Sequence, residues 1–321
     1  MALIRLTFTS VKDGRLLDVE DGSRDNGELI VVNPAPGAAS KWRVNTAASD
    51  AGFTIANDSN GKCLDADRPY YKLQQQPCDG RASEKWYFQP VAGSTERAFM
   101  IRHGADNTCL SPQTPPYTDN FVYTDVCNGT QLQHWTIPAE AYPAAMNMAV
   151  DFAAARCAKD ASNCSWSTTS QEKPKALPLV CVSPVWFNDT QTSIPWTFSL
   201  NTSTGWTNTL GVKLSAGLTL GSEFVNIKAM VQLEVSGETS LNLREDLGNS
   251  LVVTVPPRNY GWVTLSKLAT KVKGTWTFDV QGFPWTAEDE VTVPLKHDSD
   301  GGASVYAAHT NTAFTSCQAT A

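Results

Sequence analysis

The sequence predicts an all-β protein of two parts, on three observations. The first 140 residues repeat three times, and a tryptophan closes each copy: Trp42, Trp86 and Trp135, spaced 44 and 49 residues apart. The second half alternates apolar and polar residues over long stretches rich in Thr, Ser, Val and Trp. After about residue 160 no helix-length periodicity competes with that alternation.

The chain has 321 residues and a formal charge of -7. That length suits two domains and an ample core. Net acidity argues against a nucleic-acid backbone as the main partner. No run approaches the length of a helical membrane span. The opening MALIRLTFTS has too short an apolar stretch for a signal peptide and no small-residue cleavage site.

The repeat units align as "GRLLDVEDG...GELIVVN...ASKWRV", "GKCLDADRP...LQQQPCDG...SEKWYF" and "NTCLSPQTP...FVYTDVCNG...LQHWTI". Short apolar runs between Gly, Pro, Asn and Asp predict short strands and turns. One unit cannot bury its own apolar face, whereas three around a pseudo-threefold axis can. The tryptophans are expected in the core. The eight cysteines are even in number and contain no CxxC. Their spacing predicts disulfides Cys63–Cys78 and Cys109–Cys127, followed by Cys157–Cys164 and Cys181–Cys317. Such bridges imply secretion into an oxidising compartment, the alternative being reduced core cysteines. Asn57, Asn128, Asn163, Asn188 and Asn201 open N-x-[ST] triplets, which matter as glycan acceptors only in a eukaryotic secretory pathway.

The [CL]-L-D motif, the later Cys and the closing Trp recur in the order of the ricin B-type β-trefoil, which residues 3 to 140 resemble. The resemblance implies glycan binding by an Asp early in a repeat, a later polar residue and a stacking ring. Asp18 and Asp65 hold the Asp position, and Ser111 replaces it in the third repeat. Val31 and Gln74 fall at the polar position, and Asn33 and Gln76 at the ring position, so the ring is missing in both. Tyr71 is the substitute ring chosen for the second repeat, where a surviving site (Asp65, Gln74) is expected. Tyr70, Tyr117 and Tyr123 are further aromatics nearby. Alternatively, both aspartates only brace their turns. The family's closing Q-x-W survives as Gln133-His134-Trp135, against Ser40-Lys41-Trp42 and Glu84-Lys85-Trp86.

The Ala-rich stretch "PAEAYPAAMNMAVDFAAARCA" reads as a linker leading into a short helix or strand, and separates domains 1–143 and 144–321. Within the second domain, "LGVKLSAGLTLGSEFVNIKAMVQLEV" alternates over two strands, with Met230 the one lapse. Leu210, Val212, Leu214, Leu218 and Leu220, then Val225, Ile227, Val231, Leu233 and Val235, share one side, and Phe224 lies near the tip. Lys213, Lys228 and Glu234 lie on the other side. Eleven residues at roughly 3.3 Å each, tilted near 45°, project to about 25 Å, the apolar height of a transmembrane barrel. A plain amphipathic hairpin on a sandwich core explains the same alternation.

A Ser/Thr-rich strand, this hairpin, a second such strand, Pro256-Pro257 and a long alternating strand follow in order over residues 186 to 281. That order resembles the aerolysin and epsilon-toxin family of β-pore-forming toxins. The combined resemblance implies a pore-forming lectin whose trefoil docks on a cell-surface glycan or other receptor. Protomers would then form a homo-oligomer, and hairpin 207–238 of each would enter the target membrane lipid as part of one barrel. The side carrying Lys213, Lys228 and Glu234 would face the pore lumen.

No histidine spacing suits a metal, and no nucleophile, P-loop or dinucleotide motif occurs, so neither enzyme activity nor a cofactor is expected. A non-lytic lectin with a β stalk and a glycosidase with a carbohydrate-binding trefoil remain the alternatives.

Overall fold

The computed structural model describes residues 3–45, 52–67, 72–112, 120–173, 175–176, 180–200, 207–208, 250–279, 281–294 and 304–316. Its regular structure is nearly all β, with one α-helix among the described residues. The described residues form two compact units. One takes residues 3–165 and Thr277–Ala287, the other residues 166–208, 250–276 and 288–316.

The first unit holds the threefold repeat. Strands β1 (Leu3–Leu6), β2 (Thr9–Ser10), β3 (Leu16–Val19) and β4 (Ile30–Asn33) make the first copy, closed by β5 (Trp42–Asn45). The second runs through β6 (Thr54–Asn57), β7 (Cys63–Asp65), β8 (Gln74–Gln76) and β9 (Trp86–Pro90). The third runs through β10 (Phe99–His103), β11 (Cys109–Pro112), β12 (Val122–Asp125) and β13 (Trp135–Thr136). β13 pairs with both β10 and β2, so the last strand of the third copy closes on the first copy.

The hairpins β3–β4, β7–β8 and β11–β12 bond to one another in a ring. Ile30 N–H donates to Leu73 O at 3.0 Å, Leu73 N–H to Val122 O at 2.9 Å, and Val32 N–H to Asn120 O at 2.8 Å. Isolated bridges Leu29↔Gln74, Lys72↔Tyr123 and Val31↔Phe121 repeat the same three junctions.

Trp42, Trp86 and Trp135 are fully buried, as are Leu17, Leu64 and Leu110. Each indole N–H donates to one of those leucine carbonyls: Trp42 to Leu17 at 3.0 Å, Trp86 to Leu64 at 3.1 Å, Trp135 to Leu110 at 3.0 Å. A buried indole needs such an acceptor. Disulfides Cys63–Cys78 and Cys109–Cys127 close the second and third hairpins, and Cys157–Cys164 also forms. Cys181 is disulfide-bonded too, and its expected partner Cys317 lies outside the described residues.

The stretch expected as a linker with a short helix or strand is an 18-residue helix, α1 (Tyr142–Lys159). Alanine favours the helix, Pro143 sits in its first turn, and Arg156 and Lys159 face the C-terminal end of the dipole. Ala145, Ala149, Phe152, Ala153 and Cys157 are buried at helical spacing. Phe152 stacks on Tyr87 of β9 at 4.1 Å. The periodicity is obscured because alanine fills both faces.

The second unit is built on β21 (Tyr260–Phe278), whose partners include β14 (Cys164–Gln171), β15 (Lys175–Ala176), β16 (Val180–Cys181), β17 (Trp186–Phe187) and β23 (Ser304–Asn311). β22 (Trp285–Pro294) also pairs with β21 and carries β19 (Thr207–Asn208). β18 (Ile194–Ser199) and β20 (Ser250–Val255) form a separate two-stranded ribbon. The core joins Phe198, Val253 and Val255 to Val182, Val263 and Leu265.

Two of the N-x-[ST] asparagines, Asn57 and Asn188, are fully buried. Each carboxamide oxygen accepts from the residue two ahead, Ser59 or Thr190. Asn188 also donates to Val255 O and Pro256 O, which closes the turn at Pro256-Pro257. These two triplets therefore close turns.

Two outcomes are expected. Trp86→Phe removes the bond to Leu64 and part of the packed ring, and should cost about 2–3 kcal/mol in urea unfolding. Asp151 of α1 has a buried carboxylate oxygen without a partner among the described residues, and burial pushes its pKa up to about 6. The folded state thus holds this proton more tightly than the unfolded chain. The associated stability is full below about pH 4 and lost as pH rises through 6. Asp151→Asn should gain about 1 kcal/mol at pH 7.5, allowing for partial solvent screening, and nothing at pH 4, read from melting curves at both pH values.

Candidate functional site

Because the indole of each closing tryptophan holds a leucine carbonyl, it also fixes the next residue: Asp18, Asp65 or Ser111. The three equivalent positions then differ in what surrounds them.

Asp18 leaves β3 with its side chain nearly buried. Its Oδ1 accepts from Val19 N–H at 2.8 Å and its Oδ2 from Asn33 Nδ2 at 3.0 Å. A Cβ on Gly37 would stand 3.3 Å from Oδ2, so glycine keeps the backbone clear of the carboxylate. Each carboxylate oxygen retains a second lone-pair position. In front lies a pocket of about 590 Å³, whose walls include Asp18, Glu20, Asp21, Asn33, Asn120 and Phe121. Asn33, at the expected ring position, is an amide partner of Asp18. The ring in this pocket is Phe121, brought from the third copy by the bridge Val31↔Phe121. Lys72 of the second copy sets its ammonium 3.8 Å from the Phe121 centroid, and Arg15 donates to Asn120 Oδ1 at 2.9 Å. All three repeats thus shape the surroundings of one pocket.

Asp65 is fully buried and surrounded by internal partners. It accepts from Asp67 N–H at 2.7 Å, Ser83 Oγ at 3.1 Å and Gln74 Nε2 at 3.4 Å, and Arg81 lies 3.8 Å away. Gln74 Nε2 also donates to Asp67 O at 2.8 Å. The pair expected to bind sugar in the second repeat is brought together, but its bonds run to its own loop. Tyr71 lies outside the described residues. Ser111 is buried on β11, opposite Tyr123.

The residues two before each tryptophan pin the neighbouring loops. Gly37 N–H donates to Ser40 Oγ at 2.9 Å. Glu84 accepts from Gly80 N–H at 2.8 Å and Asp79 N–H at 3.2 Å. Gln133 accepts from Asn128 N–H at 2.7 Å and donates to Val126 O at 2.8 Å. Burial pushes the Glu84 carboxyl above its ordinary range.

In the second unit, β18 and β20 are antiparallel with Ser199 opposite Ser250. The chain between them therefore departs from and returns to neighbouring points. Thr207–Asn208 pairs with Val291 and Thr292 of β22. The rest of the 207–238 hairpin, including every residue assigned to its apolar and lumen sides, lies outside the described residues. Among the described residues no helix is long and apolar enough to cross a membrane, and no cluster of three or more His, Cys, Asp or Glu is placed to hold a metal.

Phe121 and Asn120 were missed as site residues by sequence reasoning. Nothing local marks them, because they reach the pocket only through the ring of three hairpins.

No curated protein matches the chain. Among solved structures, the designed threefold-symmetric protein ThreeFoil is 18% identical, covering 41% of this chain and 96% of its own at a TM-score of 0.37. The C-half of an earthworm R-type lectin, solved in complex with GalNAc, is 17% identical, with 41% and 96% covered and a TM-score of 0.34. A mosquitocidal holotoxin is 9% identical; the match spans 64% of this chain but only 22% of the toxin, at a TM-score of 0.39. Residues 5–135 match the family model of the ricin-type beta-trefoil lectin domain, and the first part of the chain is a ricin B-type β-trefoil.

Proposed function

We propose that the protein binds a cell-surface glycan through the pocket at Asp18 and uses its second unit to open a β-barrel pore in the target membrane. The observation that carries the glycan reading is the grouping of a buried carboxylate, an amide and a ring in one open pocket. Carboxylate and amide match vicinal sugar hydroxyls, and the ring matches a sugar's apolar face. Phe121 supplies the ring absent from the ordinary position. The second repeat is a weaker candidate, since Asp65 is consumed by its own loop.

The pore reading is supported by the β18–β20 ribbon. Its paired ends, Ser199 and Ser250, bracket a stretch that contains the alternating residues 210–235. A segment that leaves and returns at adjacent strands can extend as a hairpin without disturbing the ribbon. One hairpin cannot satisfy its own edges in lipid, so several protomers must close the barrel together. The disulfides support secretion as the setting. The proposed activity is binding followed by membrane insertion, with no reaction catalysed.

Two measurements test this. Asp18→Ala should abolish retention on glycan probes while costing about 1 kcal/mol of stability, whereas Asp65→Ala should cost about 2–3 kcal/mol by stranding buried donors. Equal glycan binding by wild type and Asp18→Ala would exclude the pocket.

Calcein release from vesicles made with target-cell lipid extract tests the pore. Leu214→Lys should stop release, since a charge facing mid-bilayer costs about 2–4 kcal/mol, whereas Ser215→Lys should retain it. Glycan binding without release by the wild type would leave a non-lytic lectin.

A further inference from the structure

We infer that the Asp18 pocket reads two consecutive sugar residues, one held by Asp18 and Asn33 of the first copy and the next by Asn120 and Phe121 of the third, so that its smallest full ligand is a disaccharide. The inference deepens the glycan-binding reading of that pocket and rests on it.

The two pairs of residues stand on different strands. Asp18 on β3 lies opposite Val31 on β4, and Val31 is bridged in turn to Phe121. Residues opposed across strands share one face of a sheet, and their side chains stand roughly perpendicular to it. Neighbouring strands lie about 4.8 Å apart, so two such steps separate the positions of Asp18 and Phe121 by about 10 Å. One pyranose ring is too short to meet both, and two linked rings are not. Both pairs line the same pocket of about 590 Å³, a size that encloses ligands larger than one sugar ring.

Each end is set up separately. At the first, Asn33 Nδ2 donates to Asp18 Oδ2 at 3.0 Å, and Gly37 keeps the backbone clear of that oxygen. At the second, Asn120 is fixed through both of its oxygens. Its backbone carbonyl accepts from Val32 N–H at 2.8 Å, and its Oδ1 accepts from Arg15 Nη1 at 2.9 Å. Arg15 is held in turn by Asp13 at 2.8 Å. An amide anchored through its oxygen keeps the two donors of its Nδ2 group for another partner. The Lys72 ammonium lies 3.8 Å from the Phe121 centroid, and Lys72 is not among the described residues that line the pocket. That contact braces the ring without filling the pocket.

The chemistry of the two ends differs accordingly. The first offers carboxylate and amide oxygens, which accept from sugar hydroxyls. The second offers N–H donors beside a ring, which suit a sugar oxygen and the apolar face of the same residue. A glycan that spans both ends gains from both, whereas a single sugar residue leaves one end to water. The discrimination is therefore by length, and it acts on uncharged saccharides.

The test measures dissociation constants of the full chain by ligand-observed NMR. The probes are homodisaccharides of glucose, galactose, mannose and N-acetylglucosamine, and the methyl glycosides of the same sugars. Every probe is uncharged, so charge does not separate them. The best-bound disaccharide should bind about tenfold or more tightly than its own methyl glycoside. Asn120→Ala and Phe121→Leu should each bring that ratio down toward one, and Asp18→Ala should lose both probes. Equal affinity of the wild type for disaccharide and methyl glycoside would overturn the second subsite and leave a one-residue glycan site standing. A ratio unchanged in Asn120→Ala and Phe121→Leu would equally overturn the roles of those two residues. Binding of no probe by the wild type would remove the glycan reading, and the two-residue pocket with it.

Discussion

An indole N–H bonded to a buried leucine carbonyl, made three times, is the interaction on which the trefoil depends. Trp42, Trp86 and Trp135 sit where the three copies pack, and each carbonyl they hold belongs to the residue before Asp18, Asp65 or Ser111. A tryptophan removed from water contributes a large apolar area, but its N–H is costly to bury unbonded. Satisfying that donor with a backbone carbonyl fixes the strand carrying the candidate site residue. Core packing and site geometry are therefore set by one contact. The same contact is kept in all three copies while the surroundings of Asp18, Asp65 and Ser111 differ.

The loops around that contact show how chemistry can vary under a constant demand. The positions two before the tryptophans hold Ser40, Glu84 and Gln133, which share little as side chains. All three are buried, and all three bond the backbone of the loop that precedes them. What is required is a polar atom that takes up an otherwise buried N–H. A hydroxyl, a carboxylate and an amide each meet it. The erosion of the Q-x-W motif to a single full copy leaves the fold intact for that reason. Glu84 carries a cost the other two avoid, since desolvation works against its charged form.

Much of this was legible in the sequence. The triplicate tryptophans and the cysteine spacing depend on short-range order, and they predict the repeat, its closure and the Cys63–Cys78 and Cys109–Cys127 bridges. Helix α1 was only half legible: alanine on every face hides the side that packs on β9, so its 18 residues read as a linker and a short element. The site was least legible. Asp18 and Asp65 are alike in the aligned motif. Their difference lies in Asp67, Ser83 and Arg81, which approach one carboxylate, and Phe121, which lines the pocket of the other. Those approaches are set by hairpin contacts between copies, and no local pattern encodes them.

The same limit governs the second unit in reverse. Its alternation is plain along the chain, yet period two alone cannot distinguish a strand packed on a core from one bound for lipid. The ribbon supplies a constraint that the period lacks. On β18 and β20, Phe198, Val253 and Val255 point into the core, while Thr197, Ser199 and Thr254 are exposed beside Val252. The alternation of these strands is thus accounted for by an apolar core on one face and water on the other. Residues 210–235 have the same period but a different composition: Leu, Val, Ile and Ala recur on one side of each of the two stretches, with Lys213, Lys228 and Glu234 opposite. In height such a side matches a hydrocarbon layer, and in period it matches a sandwich core equally. Because Ser199 and Ser250 are paired, the chain that carries this stretch leaves and returns at neighbouring points of the ribbon.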